Sequence, residues 1–441
     1  MRGLASLRIG KGTLLGLGSF EFMTFMRRGV FYTFMIYYLY DLLGKVTIVA
    51  MLGTFTMVTS TLGQNFLWGK IADRYKLRTQ LIVIGEVTAG IAYILVFLLQ
   101  KSFIDMGAGA AAGIAIIFGL SILEFFWSMS DVGWAALVTD LTTPEIRGAF
   151  IGTINFISST GRMTGVLFAG FLYMGGLGFR QGTIFYIVTA MLFTGAAIMW
   201  FASKSLKSKT HLFPELPQKK DNITQTHDPS ANSQSNNSQV FTWFLVALAI
   251  IILGATATNQ VFLLFLKLPS GLNATDEQVS LIVTAWTLGG MTASTLVGRL
   301  ADKIGRAKVI LIGLVLAVIT LLTYGIVPNI GLMALTYGIN GAAFMTIQTA
   351  SFALAGDIIP KHKRGQLLSR YNAVMALSWG PAGLLIGGPL ADIQTGLGVS
   401  TSTAYINTFT TASILIIVGA IVFTAKIAKP HTRTNTTRVE R

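Results

Sequence analysis

Seven ionisable residues stand in stretches that are otherwise apolar: Glu21, Arg27, Arg28, Glu86, Glu124, Asp131 and Arg162. A carboxylate in such a place can take up and release a proton. A guanidinium can hold an anion or balance a carboxylate. Each costs on the order of 2.5–3.5 kcal/mol inside lipid, so each is a functional candidate by default. Glu124 and Asp131 are seven residues apart and project from one side of a helix, with Trp127 and Ser128 between them. Glu21, Arg28 and Tyr32 share a face in the same way, whereas the neighbours Arg27 and Arg28 cannot. The four histidines, His211, His227, His362 and His431, fall in polar segments, and there is no cysteine. A histidine relay within the membrane, thiolate chemistry, disulfides and iron–sulfur ligation are therefore excluded. No metal or cofactor is expected, and a proton gradient is the expected energy source.

The elements that must position these groups are transmembrane helices. Of 441 residues 53% are hydrophobic and 12% charged, against about 25% charged in a soluble domain. Residues 309–356 carry no Asp, Glu, Lys, Arg or His, and 241–266, 278–298, 371–391 and 393–425 are equally free of them. About 20 apolar residues cross the hydrocarbon layer. Twelve spans are predicted, near 14–38, 46–68, 78–99, 110–139, 149–174, 180–203, 241–266, 278–298, 308–327, 330–356, 366–389 and 403–425. At about 1.5 Å per residue, Arg27, Arg28, Glu124 and Arg162 lie roughly 20–24 Å deep, and Glu21, Glu86 and Asp131 about 10–14 Å. A soluble enzyme, a secreted module and a disordered scaffold are excluded.

The net charge is +15, yet 25 of the 33 Lys and Arg fall on one side of the predicted spans. Only Lys45, Lys101, Arg180 and Lys267 fall on the other. Basic loops stay cytosolic, so both termini and the central segment are expected in the cytosol and the protein in the plasma membrane. A nucleic-acid partner is not expected. No cleavable signal is seen, because the first apolar run continues through Glu21, Arg27 and Arg28 without a small-residue cleavage site. Residues 204–240 are rich in Asn, Gln and Ser and cannot bury a core. They read as a flexible cytosolic linker between bundles at 1–203 and 241–428, with a tail at 429–441. Asn273-Ala-Thr, on an outer loop, is a glycosylation acceptor only in a host that glycosylates.

Two motifs recur. Gly69-x-x-Ala-Asp73-Arg74 follows span 2 and Gly298-x-x-Ala-Asp302-Lys303 follows span 8. Asp140-x6-Arg147-Gly148 follows span 4 and Asp357-x6-Arg364-Gly365 follows span 10. Paired motifs in matching order indicate duplicated halves. With twelve spans and a long central loop, the chain resembles the major facilitator superfamily. The resemblance implies an all-α polytopic protein of two pseudo-symmetric six-helix bundles working by alternating access. It also implies that spans 1, 4, 7 and 10 line a central cavity. Tyr32, Trp127, Asn259, Gln260, Tyr337, Asn340 and Gln348 are then the polar cavity residues beside the charged ones. Asp73 is expected to cap span 11 and Asp302 span 5 in one access state, with Arg74 on Asp140 and Lys303 or Arg306 on Asp357. Arg147 and Arg364 join the same cytosolic gate.

Span 5 reads Gly152-x8-Gly161-x3-Gly165-Val166-x2-Ala169-Gly170. The glycine spacing is similar to the antiporter motif of the drug/proton exporters in that superfamily, with Val166 where the motif has proline. Small residues at this spacing also serve close helix packing. The expected function is secondary active transport, with proton-coupled export of small organic or amphipathic molecules first. In that reading Glu124 and Asp131 take up protons and an arginine moderates them. One alternative is a small organic anion held by Arg28 and Arg162; another is a lipid flippase on the same fold. Arg28–Glu124 and Arg162 with a carboxylate are the ion pairs a purely structural role would make. Phe31, Tyr32, Trp127, Trp286 and Trp379 are aromatic contacts for a ligand or for packing. The expected partners are a small molecule, protons and lipid, the chain is expected to be a monomer, and with no outer loop above about 12 residues an enzyme is not expected.

Overall fold

The computed structural model describes residues 11–75, 77–142, 144–210, 231–359 and 364–428. Of these, Lys11, Thr13, 144–149, 205–210, 231–238 and 364–366 are described as backbone only. Of the described residues 91% are helical. Among them ten helices are long and apolar enough to cross a membrane. They are α2 (Val46–Tyr75), α3 (Arg78–Asp105), α4 (Gly109–Leu141), α6 (Thr183–Lys204), α7 (Gln239–Lys267), α8 (Asp276–Ile304), α9 (Arg306–Thr323), α10 (Ile330–Ile358), α11 (Leu367–Gly396) and α12 (Thr401–Ala428). Two more have the length but are less apolar, α1 (Lys11–Leu43) and α5 (Pro144–Tyr173). The first contains Glu21, Arg27 and Arg28 and the second Arg162, and these charges lower their hydropathy. The protein is thus an integral membrane protein of twelve spans.

Local chemistry sets several boundaries. Thr275 and Gln278 form a reciprocal capping box at the start of α8, Asn329 caps α10 and Ser400 caps α12. Gly305, at φ 94°, makes the turn between α8 and α9 that only glycine adopts without strain. The helical backbone runs on to Thr210 after α6 and resumes at Ala231 before α7. Both ends of the stretch expected as linker are therefore helical, and its middle, like residues 429–441, lies outside the described residues.

Helix pairs inside each half approach at glycines. A Cβ on Gly161 would strike the Phe22 carbonyl, and one on Gly165 the Met26 carbonyl. In the second half Gly341 sits on the Trp286 carbonyl and Gly289 on that of Gly338. The α1/α5 and α8/α10 backbones therefore nearly touch. Across the halves α2 faces α11 and α5 faces α8. These helices carry the irregular backbone. Five-residue-spaced turns replace α-helix at Gly63–Trp68 in α2 and Gly383–Gly387 in α11. α11 also breaks at Gly380-Pro381, and α7 at Thr258.

The halves meet on the face opposite the basic loops. Asp392 accepts the backbone N–H groups of Val46 (3.0 Å) and Thr47 (2.8 Å). Tyr37 donates to the Leu263 carbonyl, and Asp276 accepts the Gly175 N–H at 3.1 Å. Lys267, paired with Asp276, lies over the rings of Tyr173 (4.5 Å) and Tyr37 (4.7 Å) of the other half. Halfway down, Thr54 still donates to the Gly380 carbonyl at 3.2 Å. Toward the basic face the halves part. The Asp73 side chain is 85% exposed, Asp302 and Lys303 are exposed, and Gly298 has nothing within 4 Å of a Cβ position. The structure is closed at the far face and open at the basic face.

Candidate substrate site

Where the halves part, a cavity of about 230 Å³ opens near mid-depth. Its first-half wall is Arg28, Tyr32, Thr33 and Ile36 of α1 with Arg162 of α5. Its second-half wall is Asn259 and Gln260 of α7, Trp286 of α8, Tyr337, Asn340 and Phe344 of α10, and Trp379 of α11. Asn259 and Gln260 start the helix that resumes after the Thr258 break, a discontinuity that frees backbone groups beside the site. Gln260 holds a buried amide oxygen without a hydrogen-bond donor. Asn340 donates its amide N–H to the Thr320 hydroxyl at 2.9 Å, which fixes the amide in place. Tyr337 stacks on Phe262 with centroids 4.2 Å apart.

The first half holds the charges in a graded network. Arg28 reaches Asp131 at 3.8 Å and lies 4.3 Å from the centre of the Trp127 ring. Arg27 points into the bundle instead. It donates to the Tyr93 hydroxyl at 2.9 Å, sits 4.7 Å from the Trp127 ring and is 1% exposed. Two adjacent arginines thus share one indole, and only Arg28 reaches the cavity. Glu86 accepts from the Trp127 indole N–H and from Ser130, both at 2.8 Å. Glu124 accepts from Tyr32 at 2.7 Å, and Glu21 from Ser158 at 2.8 Å. Arg162 lies 5.7 Å from the Trp286 ring centre and has no carboxylate within ion-pair distance among the described residues.

Several expectations need correction. Arg28 pairs with Asp131, not Glu124, because the Tyr32 hydroxyl already occupies Glu124. Arg162 makes no ion pair among the described residues. Trp127 is buried (1% exposed) beneath the two arginines and does not line the cavity. Gln348 does not line it either; two turns of α10 separate it from Asn340. Arg78 replaces Arg74 as the partner of Asp140, at 3.0 Å, and also reaches Asp73 at 3.8 Å and the Ala72 carbonyl. It starts α3 and so stands beside the end of α4, while Arg74 lies over Tyr75. Arg306 makes the equivalent pair with Asp357 and donates to the Ala353 carbonyl. Among the described residues, Asp73 and Asp302 cap no helix of the opposite half, and that face is open. The side chains of Arg147 and Arg364 lie outside the described residues. Of the span 5 glycines, Gly161 and Gly165 pack on α1, Gly170 meets Ser280 and Asp276 of α8, and Gly152 has nothing near it.

A family model for the major facilitator superfamily matches residues 17–273 and 246–441. The chain belongs to the major facilitator superfamily. Members of that superfamily transport small molecules. It is 35% identical over 133 residues to the putative metabolite transport protein YwtG of Bacillus subtilis, a match covering 30% of this chain and 29% of that one. It is 28% identical over 160 residues to the quinolone resistance protein NorA of Staphylococcus aureus, covering 36% and 39%. The matched segments thus span well under half the length of these curated relatives. Among solved structures, a bacterial homologue of the lysosomal transporter Spinster, inward-facing and unoccupied, superposes with a TM-score of 0.70 at 14% identity, covering 94% and 96% of the two chains. The nucleoside transporter NupG gives 0.63 at 14%, covering 93% and 99%. These likenesses show the superfamily fold.

Proposed function

We propose that this transporter carries a small organic anion with a planar or aromatic body, driven by the proton gradient. The observation that carries the reading is the pair Arg28 and Arg162 on the cavity wall, with Arg162 lacking a carboxylate partner among the described residues. A free guanidinium at mid-depth is a costly group whose charge an anion would balance. Bonds to charged groups contribute about 1.5–3 kcal/mol each. Trp286, Tyr337, Phe344 and Trp379 offer faces for a ring, and Asn259, Gln260 and Asn340 offer amides for a polar substituent. The volume, about 230 Å³, suits a small metabolite and not a phospholipid. With the basic face read as cytosolic in the plasma membrane, the structure is the inward-open state. Asp73 and Asp302 then belong to the gate of the opposite state.

A second reading, proton-coupled export of amphipathic molecules, rests on the similarity to NorA and the span 5 glycine run. Two of those glycines serve α1/α5 packing, so the run needs no transport role of its own. Tracer exchange in proteoliposomes separates the readings. Benzenesulfonate and phenyl phosphate are expected to exchange, and Arg162→Gln to reduce that exchange at least tenfold. Tetraphenylphosphonium is expected to stay put. Exchange of the cation alone, insensitive to Arg162→Gln, would establish the exporter instead.

A further inference from the structure

Four carboxylates stand among the first-half arginines, and three of them are held by neutral donors. Glu21 is held by Ser158, Glu86 by Trp127 and Ser130, and Glu124 by Tyr32, and all three are 7% exposed or less. Asp131 differs on both counts. Its cationic partner is Arg28, the same guanidinium that lines the cavity. Its side chain is 40% exposed, below the cavity on the side that is open. The groups facing it are Arg28, Arg27 and Glu21 of α1, Glu86 of α3, Glu124 of its own helix and the Gln64 amide of α2 at 3.5 Å. Gln64 sits in the irregular turn of α2, so this neighbour belongs to the part of α2 that has left α11.

We infer that Asp131 is the proton carrier, and that the transported anion and Asp131 exchange one counter-ion, Arg28. The inference rests on the anion reading above. Arg28 starts paired with Asp131. When an anion takes the guanidinium, the carboxylate is left without its cation, and a carboxylate in that position is neutralised by a proton from the open face. The balance is one anion bound, one proton bound and one internal ion pair dissolved. Release runs the same exchange backwards: the proton leaves Asp131, the carboxylate recovers Arg28 and the anion departs. One monovalent anion therefore moves with one proton in the same direction, and no net charge crosses. This direction of coupling is opposite to the one expected from the span 5 motif. The 3.8 Å separation suits such a partner, close enough to neutralise and loose enough to exchange.

Benzenesulfonate is the probe, because a sulfonate stays ionised and any proton taken up must sit on the protein. In weakly buffered detergent solution near neutral pH, its binding to the wild-type protein is expected to remove one proton per chain from solution. Asp131→Asn is expected to remove none. In proteoliposomes, an inward acid gradient is expected to concentrate benzenesulfonate at least tenfold in the wild type, unaffected by a membrane potential. Asp131→Asn is expected to lose that accumulation, with exchange that no longer varies with pH. Binding by the wild type without proton uptake would overturn the inference and leave the anion reading intact. So would an Asp131→Asn protein that still accumulates the sulfonate. Failure of the wild type to bind or exchange it would remove the anion reading itself. The proton count on wild-type protein does not depend on any variant folding.

Discussion

Lys267→Met should open the far face. The lysine belongs to α7, but the rings around it belong to the first half: Tyr173 at 4.5 Å, Tyr37 at 4.7 Å and Phe34 at 5.7 Å. Its ion pair with Asp276 lies within the second half and survives separation. Of the lysine's own contacts only those to the rings are lost on opening, so they alone set its share of the bias. A cation over a ring contributes about 0.5–1 kcal/mol when exposed and about 2 when desolvated. The Lys267 side chain is 26% exposed, and Phe34 lies near the limit of useful distance. About 2 kcal/mol in total is a fair sum, and that is roughly a 30-fold shift in the ratio of the two access states. The chain has no cysteine, so a single introduced thiol reports without background. Ile36 lines the cavity on α1, toward the far face from Arg28. Ile36→Cys in proteoliposomes of known orientation, treated with a membrane-impermeant maleimide from the far side, should react about 30-fold faster when Lys267 is Met. Lys267→Arg should stay near the parent rate, since a guanidinium keeps the ring contacts. An unchanged rate in Lys267→Met would show that the aromatic cage does not hold the far face shut.

Gly165→Val should destabilise the fold by about 3 kcal/mol or more, because its Cβ meets the Met26 carbonyl and the α1/α5 pair cannot move apart cheaply. Gly152→Ala in the same run should stay within about 0.5 kcal/mol, and thermal unfolding followed by size-exclusion chromatography would rank them. Arg78→Ala should cost about 1 kcal/mol through its bonds to Asp140 and the Ala72 carbonyl. Arg74→Ala should cost less than about 0.5 kcal/mol in the same assay; equal losses would contradict the assignment of the ion pair.

The elements were legible because lipid imposes one rule on every residue of a span. Charge-free runs and basic loops carry that rule directly, and the paired Gly-x-x-Ala-Asp motifs located the duplication. The depth count put Arg28, Glu124 and Arg162 at one level, and the Tyr32–Glu124 bond joins two spans at that level. What sequence could not supply was the choice among near neighbours. Arg74 and Arg78 are both within reach of Asp140 on paper, and the start of α3 decides between them. Trp127 has the spacing of a cavity residue, yet two stacked arginines and Glu86 claim it. The far-face contacts were missed altogether. Lys267, Asp276 and Asp392 look like topology-setting charges at span ends, and only the apposition of the halves gives them partners. A helix-start carboxylate such as Asp276, nine residues after a lone outer lysine, was the one signal available.

The division of labour between the halves follows from these placements. The seven intramembrane charges singled out above belong to the first six spans, and two of them, Arg28 and Arg162, line the cavity, whereas the second-half wall offers neutral amides, a phenol and rings. Had the charges been split between the halves, each change of access would have pulled a desolvated ion pair apart, at a cost of about 3–5 kcal/mol for each partner left unpaired. On the proposed mechanism, with both arginines and Asp131 in one half, the anion, its counter-ion and the proton would travel as a neutral set. The second half needs only to slide rings and amides past them. The breaks beside the cavity, at Thr258 in α7 and at Gly380-Pro381 in α11, lie in the second half, while the irregular turn Gly63–Trp68 of α2 lies in the first. α1 and α5, which carry the arginines, are instead unbroken and locked together at Gly161 and Gly165. A rigid charged wall facing a compliant neutral one keeps the electrostatic cost of carrying an anion constant while the access changes.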